Sequence, residues 1–132
     1  MPGYKSSEAT LKAAGVDDIM IYCVNDGAVM QAWSENQGVP TELEDGILHL
    51  FADPYGKLTE KLGMELTHKG PLGVGLVGRC KRFALYIVDG VVKIVRVAEK
   101  DDDPAGDDFP DSTLADAMLE AIQALESGSD EL

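Results

Sequence analysis

Cysteine is scarce in this chain: Cys23 and Cys80 are the two in 132 residues. Two widely separated cysteines build neither a disulfide scaffold nor a CxxC redox or zinc motif, and a reducing compartment is the default reading. Positive charge is short too. Eleven Lys and Arg against 24 Asp and Glu leave a formal charge of −13, which argues against nucleic acid or an anionic membrane as partner. No apolar run approaches a membrane span, and Met1-Pro2-Gly3 starts neither a signal peptide nor an Arg-rich transit peptide. The cytoplasm is the resulting expectation. Ser129-Asp130-Glu131-Leu132 is close to the ER-retention tetrapeptide, so an organelle or the ER lumen is the alternative if a lost N-terminus carried a targeting signal.

What is present suits a globular domain. Hydrophobic residues make up 45% of a chain long enough to bury a modest core. Residues 100–132 hold one lysine and eleven acids, so most of the net charge belongs to the C-terminal quarter. The pattern predicts one domain over 1–126 and a frayed acidic tail over 127–132.

The most informative stretch is Leu76 to Val97. Asp89-Gly90 between β-branched runs is a strong hairpin signal. Gly70, Gly73, Gly75 and Gly78 read as a flexible lead-in, and the first strand opens on Arg79, Lys81 and Arg82. Upstream, Tyr4–Ala14 reads as a helix with Gly15 as its C-cap. Ile19–Val24 reads as a parallel strand buried on both faces. Asp26 caps a helix over about 28–36 with Val29, Ala32 and Trp33 on its inward stripe, ended by Gly38 and Pro40. Ile47–Ala52 is another strand, Asp53-Pro54-Tyr55-Gly56 a turn, and Lys57–Leu62 a short helix. Asp101–Pro110, with five aspartates, reads as a solvated loop. A last helix from Thr113, capped by Asp111 or Ser112, carries Leu114, Met118, Ile122 and Leu125 on one face. This order is that of an α/β layer with an antiparallel edge.

Several patterns carry less than they suggest. Gly73-Val74-Gly75-Leu76-Val77-Gly78 spells GxGxxG, but a turn precedes it and a strand follows, so the dinucleotide reading fails. His49 reads as a core histidine and His68 as a surface one, with no second ligand at metal spacing. The aspartate runs lack calcium-loop spacing. No cofactor or metal is expected. Cys80, beside Arg79, Lys81 and Arg82, is a candidate reactive thiol because neighbouring cations favour thiolate; the alternative is a small strand residue. Cys23 lies in the strand and reads as packing.

Arg79-Cys80-Lys81-Arg82-Phe83-Ala84 followed by Asp89-Gly90-Val91-Val92-Lys93 resembles the hairpin of type II (atypical) peroxiredoxins. The likeness is collinear through Met1-Pro2-Gly3-Tyr4, Val24-Asn25-Asp26, Val29–Trp33, Ala52–Thr59 and Leu62–Leu66. It implies a thioredoxin-like three-layer fold and a thiol peroxidase that reduces hydrogen peroxide and alkyl hydroperoxides. It also implies glutaredoxin or thioredoxin as electron donor and a possible homodimer. By the same resemblance Arg82 matches the arginine lining the peroxide site, whereas the Pro-Gly-x-Phe-Thr-Pro-x-Cys segment with the peroxidatic cysteine would lie before residue 1. The central strand preceding the first helix would be missing with it, and Ile21 stands where some members carry a second cysteine. These 132 residues are therefore expected to be inactive alone and marginally stable. The gap would be closed by direct pairing of the flanking strands or by another chain. Alternatives are a non-catalytic redoxin-like interaction module, or a redox-sensing thiol at Cys80.

Overall fold

The start of the chain is helical, but in two pieces: α1 spans Pro2–Ser6 and α2 spans Glu8–Ala13, with Ser7 leaving helical geometry between them. The single helix expected over 4–14 is thus broken. The computed structural model describes residues 1–39, 46–67, 69–75, 78–99, 103, 106 and 110–130, without the side chains of 69–70 and 127–130. Two compact units, Met1–Cys80 and Lys81–Leu132, make up the chain.

In the first unit, Gly15 closes α2 with positive φ (99°), which glycine tolerates without a Cβ clash. Strand β1 (Ile19–Cys23) then pairs in parallel with β2 (Leu48–Ala52), Ile19 opposite Leu48 and Cys23 opposite Ala52. Parallel pairing is as predicted, but burial on both faces is not: Ile19 is buried while Met20 is 68% exposed. A two-stranded sheet covers less of its surface than a wide one. The Glu8 carboxylate on α2 accepts the Ile47 and Leu48 N–H groups at 3.1 and 2.9 Å, fastening the helix to the start of β2.

Helix α3 (Gly27–Asn36) is capped by Asp26, whose side chain accepts the Val29 N–H at 2.8 Å. Its buried residues are Met30 and Ser34; Trp33 is half-buried, Val29 and Ala32 are exposed. The predicted stripe was therefore misplaced. Met30 and Ser34 share one face at i, i+4, and Ser34 is acceptable inside because its hydroxyl donates to the Val39 carbonyl at 3.0 Å. Pro40 lies outside the described residues. Asp53–Gly56 turns, and α4 (Lys57–Leu62) follows as expected. Part of the glycine-rich lead-in is helical: Lys69–Gly73 forms α5. His68, Leu76 and Val77 lie outside the described residues. Leu11, Met30, Val39, Ile47, Leu48 and Leu66 form the buried core, and His49 is buried too, edge-on to Phe51.

The second unit is built on the predicted hairpin, β3 (Phe83–Val88) antiparallel to β4 (Val91–Val97). Asp89 (φ 51°) and Gly90 (φ 79°) both take positive φ, as a primed two-residue turn requires. Neither strand is buried as a whole: Ile87, Val91 and Val95 are at least half exposed. Strands β1 and β3, for which direct pairing was one expected outcome, belong to separate two-stranded sheets among the described residues. A 3₁₀ turn over Asp111–Thr113 precedes α6 (Ala115–Asp130). The helix thus begins two residues later than predicted and runs beyond 126. Leu114, extended and 40% exposed, stands before it, and Ala115, Met118 and Ile122 form its buried stripe. Tyr86 on β3 donates to Glu126 on α6 at 3.3 Å. Asp103 and Gly106 are buried, so the 101–110 segment is not solvated throughout; Asp101, Asp102, Asp107 and Asp108 lie outside the described residues. No helix among the described residues is long and apolar enough to cross a membrane.

Candidate active site

Arg82 stands immediately before β3 and is exposed. Its carbonyl accepts the Ala98 N–H at 2.9 Å, the hydrogen bond that closes the base of the hairpin. The residue's backbone is therefore held by the sheet of its unit. Gly106 packs against this base. A β-carbon there would lie 2.5 Å from the Ala98 carbonyl oxygen and 3.2 Å from Arg82 Cβ, and its φ of +73° also favours glycine. The sequence reading missed Gly106; a glycine inside the aspartate-rich segment was the available signal. Of the neighbouring cations, Lys81 is engaged with Glu99 at 3.3 Å and Arg79 is exposed at the end of the first unit.

Cys80 is half-buried and forms an isolated antiparallel bridge with Glu65, next to the Leu66 N–H donating to the Arg79 carbonyl at 2.8 Å. Burial pushes its thiol up. Its own N–H favours thiolate, the Asp53 carboxylate opposes it, and the Val24 N–H and the Arg79 cation favour it; burial wins. The cation-rich setting read from the sequence therefore does not produce a readily ionised thiol, because desolvation of the sulfur outweighs the help of the Arg79 cation. Cys23 is half-buried at the end of β1.

The strongest polar network lies beside Cys80. Asp53 is 8% exposed and accepts from the Leu58 N–H (3.2 Å), the Thr59 N–H (3.1 Å) and the Thr59 hydroxyl (2.9 Å). Thr59, 1% exposed, meets the Tyr22 hydroxyl at 3.1 Å. Burial pushes the Asp53 carboxyl up, but the Thr59 donors and the Leu58 and Lys57 N–H groups hold it below the ordinary aspartate range. The unfolded chain accordingly binds this proton more readily, so the stability Asp53 supplies is complete above about pH 4 and is lost as pH falls through the lower folded-state value. Asp53→Asn is expected to flatten the acid limb of a stability-against-pH profile followed by urea unfolding; an unchanged limb would show that other carboxylates govern it. An open groove of about 430 Å³ borders this network, lined by Pro54, Tyr55, Thr59, Leu66, Leu72 and Arg79 among others. It joins apolar walls to one cation and to Glu60 and Glu65.

The Redoxin family profile matches residues 1–119. The chain is 36% identical to the chloroplastic peroxiredoxin-2E of Arabidopsis thaliana over 123 residues, 92% of this chain and 47% of that protein. It is 35% identical to peroxiredoxin-2B of the same plant, covering 92% of this chain and 66% of that one. The chain thus spans about half the length of the chloroplastic relative; a mitochondrial peroxiredoxin-2F is also similar, at 33% identity. Among solved structures, Prx3 from Vibrio vulnificus in complex with hydrogen peroxide superposes with a TM-score of 0.70 at 32% identity, covering 92% of this chain and 65% of that one. The reduced form of that protein gives 0.72 at 31%.

Proposed function

Because the chain belongs to the redoxin family, with peroxiredoxins as its relatives and a thioredoxin-like α/β fold, we propose that it serves hydroperoxide reduction with a glutaredoxin or thioredoxin as electron donor. Arg82 supplies the cation that orients the peroxide and stabilises the attacking thiolate. The observation that carries this reading is the likeness to a relative solved with hydrogen peroxide bound, together with the placement of Arg82 at the base of the hairpin. A homodimer is the assembly that goes with it. The compartment is the cytoplasm or an organelle, the latter supported by chloroplastic and mitochondrial relatives.

A thiol peroxidase attacks the O–O bond with a thiolate held ready by cations and hydrogen bonds. Within residues 1–132, Cys80 is pushed away from that state by burial and Asp53. Neither it nor Cys23 occupies the family's Phe-Thr-Pro-x-Cys position. These residues alone are therefore expected to show no hydroperoxide turnover in a coupled assay with glutaredoxin or thioredoxin as donor. Turnover abolished by Cys80→Ser would overturn that expectation and make Cys80 the nucleophile.

A further inference from the structure

The two faces of the β3–β4 hairpin are covered unequally. Side chains alternate across a strand, so the observed pairing puts Ala84, Tyr86, Ile94 and Arg96 on one face and Phe83, Leu85, Ile87, Val92, Val95 and Val97 on the other. The first face is covered. Tyr86 meets Glu126 of α6, and a β-carbon on Gly106 would lie 2.8 Å from Ala98 Cβ and 3.2 Å from Arg82 Cβ, the two residues that continue this face beyond the strands. The second face is apolar at all six positions, and its outer half is open: Ile87 is 54%, Val95 50% and Val92 44% exposed.

A contiguous apolar patch of this kind marks an interaction surface, and charge indicates its partner. From residue 81 to residue 97, Lys81, Arg82, Lys93 and Arg96 stand against the single acid Asp89, so the hairpin is basic within a chain of formal charge −13. Arg82, Lys93 and Arg96 are exposed, and Lys81 is engaged with Glu99. An apolar centre with a cationic margin suits an apolar stripe flanked by carboxylates. The molecule already contains one such pairing. Helix α6 buries Ala115, Met118 and Ile122, holds four acids and no Lys or Arg between residues 115 and 130, and sets Glu126 against Tyr86 on the covered face. Helices on both faces of a sheet are a stable layer arrangement.

We infer that the face formed by Phe83, Leu85, Ile87, Val92, Val95 and Val97 docks an acidic amphipathic helix of another protein. Three helical turns span about 16 Å, close to the length of a six-residue strand, about 20 Å, so a stripe at i, i+3, i+4 and i+7 covers Ile87, Val92 and Val95. Its carboxylates meet Lys93, at the register shift beside Val92, and the positive field of Arg96 next to Val95. Two other occupants fit less well. An anionic lipid surface is repelled by the chain's −13, and the same face of a second copy would bring like cations together. Docking here is a matter of binding, so it holds whether or not the protein turns over peroxide.

The test titrates the full chain into two fluorescein-labelled helical peptides of about 18 residues that share one leucine stripe. One carries glutamate and the other lysine at the flanking positions, and anisotropy reads the binding. The glutamate peptide is expected to bind at least about tenfold tighter than the lysine peptide, and its affinity should fall several-fold as salt is raised from about 0.1 M to about 1 M. Val95→Asp, at a half-exposed site, should weaken it by about tenfold or more with circular dichroism unchanged. Equal affinity for the two peptides, no saturable binding of the glutamate peptide, or full affinity in a folded Val95→Asp chain would each overturn the inference. So would preferential binding to phosphatidylserine vesicles, or a reversible dimer that Val95→Asp abolishes, since either gives the face another occupant. The comparison of peptides is made on the wild-type chain, so it does not depend on how well Val95→Asp folds.

Discussion

Joining the Pro-Gly-x-Phe-Thr-Pro-x-Cys segment of a type II peroxiredoxin ahead of Met1 is expected to produce hydroperoxide reduction where residues 1–132 alone give none. Arg82→Ala in that fusion is then expected to lower kcat/KM by about 10²–10³-fold, the usual effect of removing one preorganised donor from a developing anion. The reasoning is electrostatic. When the O–O bond breaks, negative charge moves from sulfur to the departing oxygen, and a fixed guanidinium stabilises both ends of that path at little reorganisation cost. Arg82 is rooted by the Ala98 N–H on its carbonyl and by the close approach of Gly106, and alanine keeps that backbone hydrogen bond while removing the charge. The check is a coupled peroxidase assay with circular dichroism on both proteins. A correctly folded Arg82→Ala fusion at full activity would separate Arg82 from the reacting oxygens and leave the functional proposal without its principal residue.

The second large effect is on stability. Leu48 is 2% exposed at the start of β2, where it faces Ile19 across the parallel pair and its N–H is held by Glu8. Leu48→Ala is expected to cost about 2–5 kcal/mol, from lost transfer energy plus the cavity left behind. Against a total of about 5–15 kcal/mol for a native domain, that is enough to leave a substantial unfolded fraction. Urea unfolding of Leu48→Ala beside Val92→Ala, whose side chain is 44% exposed on the hairpin, gives the comparison. The exposed site should change by no more than about 0.5 kcal/mol. Equal losses at the two positions would mean that β2 is not the core element its burial implies.

Much of the fold was legible because its determinants are local. Asp89-Gly90 takes the two positive-φ positions a tight hairpin needs, and little outside the turn is required to foresee it. Asp26 announced α3 through its own carboxylate on the Val29 amide, and Asp53-Pro54-Tyr55-Gly56 announced the turn into α4. What failed depended on distant partners. The buried face of α3 went to Ser34 over Val29 because a serine hydroxyl can spend its donor on Val39 within one turn, an option no hydropathy pattern encodes. Asp103 and Gly106 lie inside a segment whose composition reads as solvated, and Gly106 is placed by the Ala98 and Arg82 atoms it approaches.

The cysteines divide the same way. Residue order by itself determined that the chain is an acidic α/β redoxin and that a hairpin carries Arg82 at its base. Tertiary structure alone decided that burial pushes the Cys80 thiol up despite the cations next to it in sequence. The reason is that a thiol's ionisation is governed by desolvation and by groups folded against it, whereas adjacency along an extended strand sends neighbouring side chains to opposite faces.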